Sequence, residues 1–141
     1  MVGTTQASLG NQTLSITASS EEHQQYVRLV TAQPRLARHY VRHFGDIYLT
    51  NAALLPEFDV VTMFHLCEFY HSETSSVAYG GMTDRQLLDL FTRRTRPGGH
   101  MLFYRQSLAF EATWPLLRDS ERHGKTTRVH DYKSLVVYRT W

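Results

Sequence analysis

The hydrophobic residues of this chain alternate between two spacings, which predicts an alternation of strands and helices. Short apolar or β-forming runs typical of strands occur at residues 14–17, 36–44, 59–65, 101–104, 126–130 and 134–138. Helical spacing of apolar residues occurs at 20–33, 83–91 and, more weakly, 110–120. Such an alternation predicts an α/β fold with a mostly parallel sheet and helices on its faces. The last two strands are close in sequence, which favours an antiparallel hairpin at the carboxyl end.

Local signals set several boundaries of these elements. Ser19 or Ser20 begins the first helix and Thr83 caps the second, which Pro97-Gly98-Gly99 stops. Pro115 is tolerated in the first turns of the third helix or else marks a break. Residues 1–13 are small and polar without any periodic pattern, so we expect them to be irregular within a single domain over residues 1–141.

The charge balance argues against a nucleic acid partner. Lys and Arg total 15 against 13 Asp and Glu, and they form no basic stripe.

No apolar run approaches the roughly 20 residues that cross a bilayer, and the amino terminus lacks the pattern of a signal peptide, so we expect a soluble, cytoplasmic protein without membrane contact. The single cysteine, Cys67, is expected to be a small buried apolar residue rather than a nucleophile.

Three blocks in order carry a resemblance to a known family. They are LSITASSEEHQQYVRLV, HFGDIYLTNAALLPEFDVVTMFHLCEF and LLDLFTRRTRPGGHMLFY, followed by GKTTRVHDYKSLVVYRT as a closing antiparallel pair. Through these blocks the chain resembles the class I methyltransferases that use S-adenosylmethionine. The resemblance implies a Rossmann-like, mostly parallel sheet with helices on both faces, the C-terminal hairpin, and S-adenosylmethionine as cofactor.

The chain departs from the family at its amino terminus. The family's usual first strand and glycine-rich loop, which cradle the methionine end of the cofactor, have no counterpart before Leu14. We therefore expect an amino-terminally truncated member. Because the family places the absent strand between two others, we expect 14–17 to pair directly with 60–64, or a partner chain to fill the gap.

Four residues are implied as cofactor-binding by the resemblance. Asp46 matches the position whose carboxylate accepts a hydrogen bond from the adenine amino group, and Ile47 would form an apolar floor beneath the base. Asp46 could equally cap the turn that follows it. Phe64 and His65 lie at the end of the central strand, where the family places groups that face cofactor and substrate.

His65 is also the candidate catalytic residue. It could act as a general base, hydrogen-bond the substrate, pack beside the sulfonium, or be a histidine satisfied by neighbouring backbone. His65, Glu68 and His71 match no strong zinc pattern, so no metal is expected.

The acceptor side of the site is expected to include Glu68, Tyr70, Tyr104 and Arg105. Tyr70, together with Tyr79, would form a lid. The acceptor itself would be a small molecule that takes the methyl group by direct displacement. Alternatively, the chain is inactive and serves as a non-catalytic module that binds a partner chain, or a second copy of itself, through an exposed sheet edge.

Overall fold

The computed structural model describes residues 2–69 and 80–141, which form two compact units. The first unit ends at Thr50, and the second runs from Asn51 to Trp141. Within the described residues, the first unit contains a two-stranded sheet and the second a four-stranded sheet. The assignment of residues 1–141 to one domain stays a prediction.

The elements of the first unit are α1 (Val2–Ser8), β1 (Thr13–Thr17), α2 (Ser20–Ala32), a 3₁₀ helix (Pro34–Arg38) and β2 (Tyr40–Phe44). Strands β1 and β2 pair in parallel. The side chain of Ser19 caps α2 by accepting a 3.3 Å hydrogen bond from the amide of Glu22. Strand β2 is shorter than predicted because Pro34 begins a 3₁₀ helix over the residues that were expected to extend it.

Helix α1 shows that the prediction of an irregular start was wrong. Ala7 is buried, and Gly3 lies so close to Tyr40 that a Cβ at Gly3 would sit 2.9 Å from the Tyr40 ring. A helix of seven residues is marginal alone, so contacts with β2 stabilise it. These contacts come from the fold and leave no periodic signal in the sequence.

The second unit contains β3 (Phe58–Thr62), α3 (Asp84–Arg94), β4 (Thr95–Tyr104), α4 (Phe110–Arg122), β5 (Thr126–Tyr132) and β6 (Leu135–Thr140). Its strand order is β3-β4-β6-β5, with β3 parallel to β4 and the remaining pairs antiparallel. The α/β class and the C-terminal hairpin are thus confirmed. Pro115 lies inside α4 without breaking it.

The core of the second unit lies on one face of this sheet. Met101, Phe103, Val136 and Tyr138 are almost completely buried there, at alternate positions of β4 and β6. The rings of Phe103 and Tyr138 meet edge to face at 5.7 Å. Helix α3 packs on the same face, since the hydroxyl of Thr92 lies 3.5 Å from the sulfur of Met101.

The Pro-Gly-Gly sequence was expected to precede β4, but it lies within that strand. Pairing passes from Phe58 opposite Thr95 to Val60 opposite His100, so the intervening residues of β4 bulge. A Cβ at Gly99 would sit 2.9 Å from the carbonyl oxygens of Arg96 and Asp59. Glycine is therefore required for the bulge to close against β3.

Strand β3 differs from its prediction in length and burial. It ends at Thr62, so Phe64 and His65 lie in the turn after it. The nearly continuous apolar run of this segment is typical of a strand covered on both faces, but Val61 is buried whereas Val60 is 55% exposed.

The predicted pairing of residues 14–17 with residues 60–64 does not occur in the described part of the chain. There, β1 pairs with β2 and β3 pairs with β4. A partner chain at these edges stays a prediction. None of the helices in residues 2–69 and 80–141 has the length and apolarity to cross a membrane.

Candidate functional site

Two loops of the second unit are joined by the carboxylate of Glu68. This residue belongs to the loop after β3, and its Oε1 atom accepts a 2.6 Å hydrogen bond from the Ser107 hydroxyl in the loop after β4. The same oxygen accepts a 3.2 Å bond from the amide of Leu108. Because β3 and β4 are parallel neighbours, their carboxyl ends lie side by side and bring the loops within reach.

His65 is held by the other oxygen of the same carboxylate. Its Nδ1 atom lies 2.9 Å from Glu68 Oε2, while its side chain is 63% exposed. With the proton on Nδ1 donated to Glu68, the Nε2 atom carries the lone pair. The pair therefore presents a proton acceptor of fixed orientation.

The charge of Glu68 is stabilised by its neighbours. The hydrogen bond from Ser107 is the main cause that lowers the pKa of Glu68, and the bond to His65 lowers it further against the opposing effect of burial. Glu68 is therefore ionised at neutral pH and can stabilise a protonated imidazole.

The loop after β3 is anchored at the peptide unit that joins Leu66 to Cys67. The backbone amide of Cys67, a residue with a φ of 68°, donates to Asp84 Oδ1 at 3.2 Å. The Thr113 hydroxyl donates to the carbonyl of Leu66 at 3.0 Å. The Cys67 thiol is buried, which raises its pKa to about 11. A thiol in this state is a poor nucleophile, in agreement with the apolar role expected for it.

Phe64 and Tyr104 bring aromatic surface to the same two loops. Their ring centroids lie 6.1 Å apart, and the Tyr104 hydroxyl donates to Gln106 Oε1 at 2.8 Å. The structure thus assembles Phe64, His65, Glu68 and Tyr104 around the ends of β3 and β4. Arg105 is engaged elsewhere, since its guanidinium forms an ion pair with Asp131.

In the first unit, Asp46 and Ile47 follow β2. Asp46 Oδ1 accepts a 2.9 Å hydrogen bond from the amide of Tyr48 and caps the short 3₁₀ helix Ile47–Leu49. Asp46 therefore caps the turn that follows it, which is one of the two roles predicted for it from the sequence. The adenine-binding roles of Asp46 and Ile47 stay predictions.

Ser107 was missed by sequence reasoning, although it follows the end of β4, where polar residues of this fold class converge. Tyr70, His71 and Tyr79 lie outside the described residues, and so does the predicted lid. Across residues 2–69 and 80–141, no group of three or more metal-binding side chains occurs.

Solved methyltransferase structures share this fold. The N-methyltransferase NodS from Bradyrhizobium japonicum WM9, in complex with S-adenosyl-L-homocysteine, matches 92% of this chain with a TM-score of 0.58 and 16% identity. The precorrin-6y C5,15-methyltransferase from Geobacter metallireducens GS-15 matches 92% with a TM-score of 0.55 and 14% identity. MycE methyltransferase from the mycinamycin biosynthetic pathway, in complex with Mg and S-adenosyl-L-homocysteine, matches 92% with a TM-score of 0.52 and 13% identity.

The chain spans 66% of NodS, 66% of the precorrin enzyme and 34% of MycE, and so covers less than two thirds of each. No family model matches the sequence, and no curated protein matches it. At these identities the likeness establishes the fold, which is that of the class I methyltransferases.

Proposed function

We propose that this chain acts in methyl transfer from S-adenosylmethionine to a small molecule, with His65 as the group that accepts the proton of the methyl acceptor. The observation that carries the proposal is the exposed imidazole of His65, held by an ionised Glu68 directly after β3. The fold supports it, because NodS and MycE, which share this fold, have each been solved with S-adenosyl-L-homocysteine.

The described residues fit part of the cofactor. In the first unit, Asp46 supplies a carboxylate and Ile47 an apolar side chain, which suit the amino group and the ring of adenine. No glycine cluster directly follows a strand within 2–69 and 80–141, and the space beside Gly3 is filled by Tyr40. We therefore assign residues to the adenosine part alone.

Methyl transfer requires the protein mainly to position the two reactants and to accept a proton. S-adenosylmethionine, when bound, supplies a methyl group made electrophilic by a positively charged sulfur. His65 Nε2 would take the proton that a hydroxyl or amine acceptor loses, and Glu68 would stabilise the imidazolium that results. Phe64 and Tyr104 would supply apolar surface that excludes water from the reacting atoms.

Calorimetric titration tests cofactor binding directly. We expect saturable heat with both S-adenosylmethionine and S-adenosylhomocysteine, and an Asp46→Ser variant should bind them roughly tenfold more weakly while its short hydroxyl keeps the helix cap. Absence of heat at millimolar concentrations would make catalysis by this chain alone untenable.

Turnover tests the role of His65. Release of S-adenosylhomocysteine would be measured against a panel of phenols and amines. The His65→Ala variant should lose about a hundredfold in kcat without a change in cofactor affinity. The Arg118→Ala variant, altered at an exposed position of α4 outside the His65–Glu68 pair, should keep its activity. Equal rates for the wild type and His65→Ala would exclude His65 as the base.

A second candidate function is a non-catalytic module that binds a partner. It is favoured by the sheet edges, since β1 pairs with β2 alone and β3 with β4 alone in the part of the chain that is described. Light scattering of the purified chain would detect a homo-oligomer. A monomer that does not bind the cofactor would indicate that a different partner chain occupies the edge.

A further inference from the structure

An open groove runs along helix α4 in the second unit and has no part in the His65–Glu68 pair. Its volume is about 470 Å³, and its lining residues are Arg105, Phe110, Glu111, Trp114 and Arg128. They come from the loop after β4, from the first turns of α4 and from β5. Three consecutive elements of one unit thus build it.

One wall of the groove is aromatic. Phe110 and Trp114 lie one turn apart on α4, with ring centroids 5.7 Å apart and planes inclined by 42°. Both side chains are half-buried, so they keep surface open to a ligand. The Arg128 guanidinium lies 5.2 Å from the centre of the Trp114 ring and helps to hold the indole in place. This wall suits a flat, apolar ring.

The other wall carries two guanidinium groups that share one carboxylate. Arg128 Nε and Nη2 donate to the two oxygens of Asp131 at 3.1 and 2.6 Å, which satisfies that carboxylate in a forked arrangement. Arg105 reaches the same carboxylate through Nη2. Its Nε and Nη1 atoms have no hydrogen-bond partner among the described residues. Arg105 therefore keeps N–H donors on Nε and Nη1 that can bind a further anion.

Glu111 sets a limit on the charge of a ligand. Its side chain is exposed, and in the described part of the chain it forms no ion pair. A ligand with one anionic group near Arg105 gains attraction there, whereas a second anionic group near Glu111 would be repelled.

We propose that this groove binds a planar aromatic carboxylate, with the ring against Phe110 and Trp114 and the carboxylate on Arg105. The site is independent of the methyl-transfer proposal, because none of its lining residues contacts His65 or Glu68 through a hydrogen bond. Affinity for a ligand of this size is expected to be on the order of millimolar.

Nuclear magnetic resonance tests the proposal without any cofactor. The chain has two tryptophans, so the indole N–H signal of Trp114 is identified as the one that remains in Trp141→Phe. We expect benzoate to shift this signal saturably. Benzamide, which has the same ring without the charge, should bind roughly tenfold more weakly.

Two variants separate the charged contact from simple stacking. Arg105→Gln should weaken benzoate binding roughly tenfold, while Glu111→Gln should strengthen it about twofold by removing a like charge. Arg118→Gln, on the exposed part of the same helix, should change nothing. The backbone spectrum of each variant verifies that the chain is folded. Equal affinity for benzoate and benzamide, a shift that does not saturate, or unchanged binding in both groove variants would overturn the proposal.

Discussion

Glu68 Oε1 and Ser107 Oγ are joined by a hydrogen bond of 2.6 Å between residues 39 positions apart. The bond ties the loop after β3 to the loop after β4, and the second oxygen of Glu68 orients His65. Neither loop belongs to regular secondary structure at these residues. The position of the candidate proton acceptor thus depends on a side-chain contact between loops.

Ser107→Ala should raise the pKa of Glu68 toward its ordinary value. The Ser107 hydroxyl is the main group that lowers this pKa, since it donates to the charged form of the carboxylate. Carbon-detected titration of the Glu68 side chain would measure the change, with Gln106→Ala as a control in the same loop. An equal pKa of Glu68 in Ser107→Ala and in the wild type would contradict the hydrogen bond between Ser107 and Glu68.

The Cys67 thiol should react slowly in the folded protein. With its pKa raised from 9.0 to about 11 by burial, the fraction of thiolate at pH 8 is roughly a hundredfold smaller than in the unfolded chain. Mass spectrometry would follow alkylation by iodoacetamide with and without guanidinium chloride. Similar rates in both conditions would show that the thiol is accessible and that the loop after β3 is not packed as described.

Tyr138→Phe should keep or increase stability at neutral pH. The Tyr138 hydroxyl is buried and finds no hydrogen-bond partner among the described residues, so its removal should gain up to about 1 kcal/mol. Urea unfolding at pH 7 would measure this. Tyr132→Phe is the matched control on the same hairpin, because Tyr132 is 59% exposed and should respond little.

The same tyrosine should make stability sensitive to alkaline pH. Burial raises the pKa of Tyr138 from 10.0 to about 12, so the folded state resists loss of the proton more than the unfolded state does. Its contribution is complete below pH 10 and is lost as the pH rises toward 12. Urea midpoints at pH 9 and 11 should therefore fall less for Tyr138→Phe than for the wild type, and an identical fall would contradict the assignment.

Thr83→Ala should destabilise the second unit by about 1 kcal/mol through helix α3. Thr83 Oγ1 accepts from the Gln86 amide at 3.2 Å, and Gln86 Oε1 accepts from the Thr83 amide at 2.9 Å. Thr83→Ser keeps the hydroxyl and should unfold at nearly the wild-type urea concentration. If serine and alanine proved equally destabilising, the lost methyl contacts rather than the cap would be responsible.

Several features of the fold were predictable because their causes are local. Ser19 and Thr83 cap helices α2 and α3 as predicted, since a side-chain oxygen three residues before an amide suffices for this. The hairpin of β5 and β6 follows from two β-forming segments joined by a short link. The types of residues and their spacing along the sequence were sufficient to predict the two caps and the hairpin.

Other features arose from contacts that leave no local pattern. Helix α1 forms where Ala7 is buried and Gly3 meets Tyr40, and position 99 requires glycine because the Asp59 carbonyl lies against it. The expected pairing of Leu14–Thr17 with Val60–Phe64 came from the strand order of a family, and the described residues place these segments in different sheets.

The sequence by itself determined the order of strands and helices from β1 onward, the α/β class and the position of His65 near the carboxyl end of a strand, because hydrophobic spacing and capping act over a few residues. Only the tertiary structure decided that Glu68 holds His65 and is itself held by Ser107. It also brought Arg105, Trp114 and Arg128 together in one groove. Hydrogen bonds and charges act at distances of a few ångströms, and the fold alone brings residues so far apart in sequence to that distance.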